Sequence, residues 1–146
     1  MAESIGFLPE DVELHIAGRG TDSRIMQELF AHRNGVHLHG ELSQAGVRDL
    51  LWQSDALVLP SRSEAQPLVL LEALATGIPF ASTESTPASL RIPEACRIAS
   101  IGNARMLAEK MQEVMHIVPS RQFSEAVRRI ASPAVVARQL TEIFQS

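Results

Sequence analysis

"ALVLPSRSEAQPLVLLEALATGIPFAS", residues Ala56–Ser82, decides the fold. It opens on a short apolar run, "ALVLP", and closes on another, "IPFAS". The first does not alternate with polar residues, the pattern of a strand covered on both faces. Between them, Pro67 to Ala75 reads as a short helix. Pro67 fits the first helical position, where a missing N–H costs nothing, and Gly77 fits the place just past the end. Strand, loop, helix and strand in this order make one parallel crossover unit.

The same alternation continues in both directions. Upstream, "VELHIAG" (Val12–Gly18) is a strand ended by glycine. A helix follows in "TDSRIMQELFAHR", with Thr21 as N-cap and Ile25, Met26, Leu29 and Phe30 on one face. "GVHLHG" is the next strand, and "SQAGVRDLLWQS" the next helix, capped by Ser43 with Val47, Leu50 and Leu51 inward. Downstream come a strand at "CRIAS", a helix from Asn103 through Met115, and C-terminal helices over 119–146 that break near Pro133. Strands alternating with helices predict an α/β chain of Rossmann-like, three-layer α/β/α architecture with a parallel sheet, as one domain over residues 1–146. Ligands of such sheets sit at the carboxyl ends of the strands.

Composition narrows the function. A net charge of −4 and no run of Lys or Arg speak against nucleic acid, whose phosphates need a basic face. One cysteine, Cys96, allows no internal disulfide and fits a reducing compartment, so a cytoplasmic location is expected. The first residues carry no signal-peptide pattern, and no apolar run reaches the ~20 residues of a membrane span, which leaves surface association as the one membrane role open.

Two glutamates stand out. Glu72 sits among Leu68, Val69, Leu70, Leu71, Ala73, Leu74 and Ala75, in a helix whose composition predicts burial. A buried carboxylate needs a partner: an internal base such as Arg62 or Arg91, or a ligand. The alternative is a partly exposed place on the helix edge. Glu64 lies on the loop after "ALVLP", because helical geometry is disfavoured in Gln66, the residue before proline. It therefore stands above a helix N-terminus, whose free N–H groups and partial positive charge suit phosphate. A nucleotide diphosphate sugar meets all three features at once.

On these residues the chain resembles the group-1 retaining glycosyltransferases of the GT-B fold, glycosyltransferase family 4. "LPSRSEAQPLVLLEALATGIPFAST" is similar to the family's signature: a strand ending in Pro-Ser, Glu, seven residues, Glu-Ala, and Gly-x-Pro. "LHIAGRG" resembles its strand with a glycine pair, and "GVHLHGEL" its next strand and base-contacting loop. The resemblance implies the C-terminal, donor-binding half of a transferase of polysaccharide biosynthesis, taking a hexosyl-type sugar from a UDP-, GDP- or ADP-linked donor without cofactor or metal. It gives Glu72 the ribose hydroxyls and Glu64 the donor sugar as the catalytic carboxylate. The backbone of Ala65, Gln66, Leu68 and Val69 would lie along sugar and diphosphate, and Glu41 and Leu42 near the base; Gly18 and Arg19, at the end of a strand but not at the family's matching basic position, would assist beside the donor.

Three departures accompany it. Ala65-Gln66 replaces the family's Gly-Phe, and "ESTPASLRIP" its Gly-Gly loop. The family's opening strand, its basic Gly-Arg and Lys-Gly segment and its N-terminal acceptor domain have no counterpart. The chain is accordingly expected to be inactive alone, and to gain the lost strand by exchange or dimerisation. The alternatives are a non-catalytic domain of this fold used for interaction or assembly and, with a poorer match, a GT-B-like sugar-nucleotide epimerase. His37 and His39 alternate along one strand face, but no third ligand lies near in sequence and no metal is expected. Gly18 and Gly20 lack the third glycine of a dinucleotide fingerprint, so a tight turn is expected there. Cys96 reads as a packed, idle thiol, and Trp52 and the methionines as core or helix-edge packing.

Overall fold

A computed structural model describes residues 2–131. The chain order is α1 (Ala2–Ile5), β1 (Leu14–Ala17), α2 (Arg24–Phe30), β2 (Val36–Gly40), α3 (Gln44–Trp52), β3 (Leu57–Leu59), α4 (Leu68–Thr76), β4 (Phe80–Thr83), β5 (Cys96–Ala99), α5 (Ala104–Met115) and α6 (Arg121–Ala131). A 3₁₀ turn, Ala88–Leu90, separates β4 from β5. The predicted break near Pro133 and the helix beyond it lie outside the described residues.

All strand pairings are parallel, as expected for crossover connections, but they form two sheets rather than one: β1 beside β2, and β3–β4–β5. β4 is paired on both sides and every one of its residues is buried. Its side chains alternate between two cores, as the two-residue period of a strand requires. Ala81 joins Ile5, Leu14, Ile16, Leu107 and Val114 on the face of α1 and α5. Phe80 joins Leu70, Leu74, Cys96 and Phe123 on the face of α4 and α6.

β3 departs from its expected burial. Leu57, Val58 and Leu59 are only half-buried, because the edge that β4 does not cover opens into a cavity of about 950 Å³. Leu14–Ala17 of β1 borders the same cavity from the other side. Two strand edges thus face one another across a gap, and among the described residues no backbone pairing joins their sheets.

Local signals explain most boundaries. Ser43 caps α3 by accepting the Gly46 N–H at 3.1 Å, and Asn103 caps α5 by accepting that of Met106 at 2.9 Å. Thr21 does not cap α2; Ser23 holds that place. The Thr21 hydroxyl instead donates to the Gly18 carbonyl at 2.9 Å and accepts the Gly40 N–H at 3.0 Å, tying the end of β1 to the end of β2. Ile25 and Leu29, expected inward, are exposed, and α2 buries only Phe30. Trp52 is also exposed, with the Arg48 guanidinium 5.0 Å above its ring. Arg33 holds the segment before β1 by donating to the carbonyls of Ile5, Leu8 and Pro9 at 2.9, 3.2 and 2.6 Å.

The close of α4 is the most constrained turn. Gly77 adopts φ +86°, its N–H bonds back to Ala73 and Leu74, and a Cβ there would lie 3.0 Å from the Ser120 carbonyl oxygen. Left-handed geometry costs a non-glycine residue roughly 1–2 kcal/mol before any clash. Gly77→Ala is therefore expected to destabilise the fold by at least about 1 kcal/mol, read as a lowered urea midpoint with an unchanged slope. An unchanged midpoint would refute this account of the turn.

Candidate functional site

The expected site positions come from four segments, and the parallel sheets bring them to one edge. Gly18 and Arg19 follow β1, Glu41 and Leu42 follow β2, Glu64 to Gln66 follow β3, and Leu68, Val69 and Glu72 belong to α4. Gly18, Arg19, Glu41, Leu42 and Val69 all line the 950 Å³ cavity, at its carboxyl-end mouth. The cavity also runs down the gap to Leu8, Asp55 and His116, so only part of its volume lies at that mouth. Glu64, Ala65, Gln66, Leu68 and Glu72 do not line it.

Across the mouth, Arg19 and Glu41 form an ion pair at 3.3 Å with side chains 87% and 65% exposed. A pair so open to water contributes about 0.2–1 kcal/mol at most, so the Arg19 guanidinium can exchange partners readily. The turn that leads from β2 to Glu41 depends on glycine. Gly40 has φ +68°, and a Cβ there would come within 2.9 Å of the Asp22 carboxylate.

Glu64 is half-buried on its loop and is fixed rather than free. The Ser61 hydroxyl donates to its carboxylate, and the Ser61 carbonyl accepts from Thr83 and from Ser85, the latter at 3.1 Å. The loop after β3 is thus fastened to the end of β4. Ser82 extends the connection by donating to the Leu59 carbonyl at 2.8 Å and sharing a hydrogen bond with Thr86 at 2.7 Å. None of these hydroxyls stood out in sequence, since Ser and Thr in a loop look alike whether they bond or not. A smaller cavity of about 300 Å³ adjoins Pro60, Ser61, Arg62 and Thr83 at the start of α5.

Of the two readings open for Glu72, the structure bears out the exposed place on the helix edge and not burial. Its residue is exposed, as are Leu68 and Ala75 on the same helix. α4 buries only the stripe of Leu70, Ala73 and Leu74. Among the described residues no ion pair involves Glu72, and Arg91 is engaged elsewhere, donating to the carbonyls of Thr86 and Glu84 at 2.9 and 2.7 Å. Pro67 is the buried N-cap of α4 rather than its first helical residue. Ala65 stands where a glycine was expected, and its backbone shows why alanine fits: no non-glycine among the described residues has positive φ.

Cys96 is buried, as its surroundings in sequence suggested, and burial pushes its thiol up to about 11 from an ordinary value of 9.0. The unfolded thiol ionises first as pH rises, so this group withdraws stability between about pH 9 and pH 11 and is neutral below that window. A disulfide reagent at pH 8 is expected to spare Cys96 in the native protein and modify it on unfolding; equal rates in both states would contradict its burial.

Comparison with known proteins bears on the whole arrangement. The sequence model described as "Glycosyl transferases group 1" matches residues 3–116. No curated protein matches the chain. Among solved structures it is similar to TarM (TM-score 0.76, 16% identity, 96% of this chain and 30% of that one). It is likewise similar to a glycosyltransferase from Rickettsia africae (0.79, 17%, 99% and 42%). Anabaena HepE, solved in complex with UDP and with UDP-glucose, gives a TM-score of 0.75 at 15% identity over 99% of this chain and 43% of that one. At such identities the likeness is one of fold. The chain spans less than half the length of each of these three proteins.

Proposed function

The chain belongs to the group 1 glycosyl transferases, and on that footing we propose that it is the donor-binding unit of an enzyme that moves a sugar from a nucleotide diphosphate donor to an acceptor with retention at the anomeric carbon. One observation carries the reading. Residues expected to meet a nucleotide, Gly18, Arg19, Glu41, Leu42 and Val69, are remote in sequence and border one cavity where it reaches the carboxyl ends of β1 and β3.

In this reading the base lies beside Glu41 and Leu42, and the diphosphate lies between Arg19 and the first N–H groups of α4. Arg19 leaves Glu41 for the phosphates, an exchange that its open position makes cheap. Glu72, exposed and without an ion-pair partner among the described residues, takes the ribose hydroxyls. Glu64, held by Ser61, stands at the donor sugar. Transfer needs stabilisation of the charge growing on the departing diphosphate, which positioned N–H groups and a guanidinium supply. The bases and sugars open to test are those of UDP, GDP and ADP donors. HepE's complexes with UDP and UDP-glucose favour the first.

The facing edges of β1 and β3 support a second element of the proposal. A parallel strand from the remainder of the enzyme, which also supplies the acceptor site, fills the lower part of the cavity and joins the two sheets. Among the described residues no helix is long and apolar enough to cross a membrane.

A thermal-shift panel with UDP, GDP, ADP and their sugar conjugates tests the reading. A ligand at 100 times its Kd stabilises the folded state by about 2.7 kcal/mol. One nucleotide is expected to raise the melting temperature, with the rise lost in Glu72→Ala. No rise with any of them, in the full enzyme as in this chain, would leave the reading without support and favour a role in assembly.

A further inference from the structure

We propose that Glu13, His15 and His37 form a binding site for a divalent transition-metal ion that fastens β1 to β2. The site uses none of the groups assigned to the donor, and the proposal stands whether or not the transferase reading does.

The sequence shows His37 and His39 on one face of a strand and no third ligand nearby. The third ligand comes from the neighbouring strand. Parallel pairing sets His15 of β1 directly opposite His37 of β2. Residues opposite one another on a sheet face have side chains in contact range, and the two imidazole rings stack with centroids 4.5 Å apart. Glu13 lies two residues before His15, so the alternation of an extended chain sends both side chains to the same face. The Glu13 carboxylate comes within 3.9 Å of His15 Nε2.

One donor atom from each of Glu13, His15 and His37 lies within 4.8 Å of the others. A four-coordinate ion with bonds of about 2.0–2.1 Å holds its ligand atoms roughly 3.3 Å apart. The change is a modest rotation of three side chains. All three residues are exposed, so they rotate without repacking a core, and Glu13 and His15 also border the large cavity. Two imidazoles and a carboxylate form a donor set that suits Zn²⁺, Ni²⁺ or Cu²⁺ better than Ca²⁺ or Mg²⁺, with a fourth position left for water.

His39 supplies the support that such a site needs. The β1–β2 register slips by one residue between Ile16 and Ala17, leaving His39 without a partner of its own in the ladder. Its Nε2 lies 2.8 Å from His15 Nδ1. That hydrogen bond occupies one nitrogen of His15 and leaves Nε2, the atom beside Glu13, as the metal donor. A ligating histidine is usually oriented by donating its other ring N–H, here from His15 Nδ1 to His39 Nε2.

The position gives the ion a structural task. A sheet of two strands is marginal without further support, and among the described residues β1 and β2 pair only with each other. An ion held by Glu13 and His15 on one strand and His37 on the other cross-links them.

Protein stripped by a chelator and titrated calorimetrically with Zn²⁺ or Ni²⁺ tests the site. One saturable equivalent is expected, with a rise in melting temperature. His15→Ala and His37→Ala are each expected to weaken binding by more than tenfold. His39→Ala is expected to weaken it by roughly tenfold, as loss of an orienting partner does. His32→Ala, at an exposed histidine outside the cluster, should leave it unchanged. Co²⁺ should show the intense visible bands of four-coordinate geometry, lost in His37→Ala. No saturable binding to the wild type, or wild-type affinity in both His15→Ala and His37→Ala, overturns the proposal. Should His15→Ala fail to fold, His37→Gln at its solvent-facing position decides.

Discussion

The pairing of β4 on both sides is the constraint on which the rest of the fold depends. Phe80 to Thr83 is covered above and below and flanked by β3 and β5. A strand so placed has no water to satisfy its peptide groups, so the register of both neighbours is set by it. The two cores then follow, because Phe80 and Ala81 point to opposite faces and each gathers its own helices. β1 and β2 answer to a different constraint. They reach the larger body through Leu14 and Ile16, which pack into the core of α5, and not through backbone pairing with β3.

That division explains why one sheet end is rigid and the other open. Where β3 and β4 end, hydroxyls of Ser82, Thr83, Ser85 and Thr86 bind loops to strands. Where β1 and β2 end, Thr21 and the Gly18 N–H, which donates to the Gly40 carbonyl at 2.7 Å, close the turn, and the charges at its rim are in water. Glu64 is thus held on its loop by Ser61, while Arg19 and Glu41 stand exposed at the other end.

Much of this was legible in the sequence, because the signals involved are local. Gly77 must end α4, Ser43 must start α3, and alternation of strands with helices leads to parallel pairing and a carboxyl-end site. Burial was less legible where composition and geometry diverge. Leu68, Val69 and Ala75 make α4 look apolar on all sides, yet the buried stripe is only Leu70, Ala73 and Leu74, and Glu72 falls outside it. "ALVLP" has the composition of a central strand, but only one of its edges is paired. The histidine cluster was legible only in part, as His37 and His39 on one strand face, for another reason. Its members are adjacent only through the pairing of two strands, and register is a property of tertiary structure that no spacing along one strand reveals.

The tether at Ser61 has a consequence for how such a chain can change over generations. One residue offers its hydroxyl to Glu64 and its carbonyl to Thr83 and Ser85, which lie on the far side of a helix in sequence. A lineage that alters the hydroxyl at position 83 or 85 also alters the anchorage of the loop that carries Glu64. The exits of β3 and β4 are therefore not free to diverge separately, and drift at one is inherited as a demand on the other.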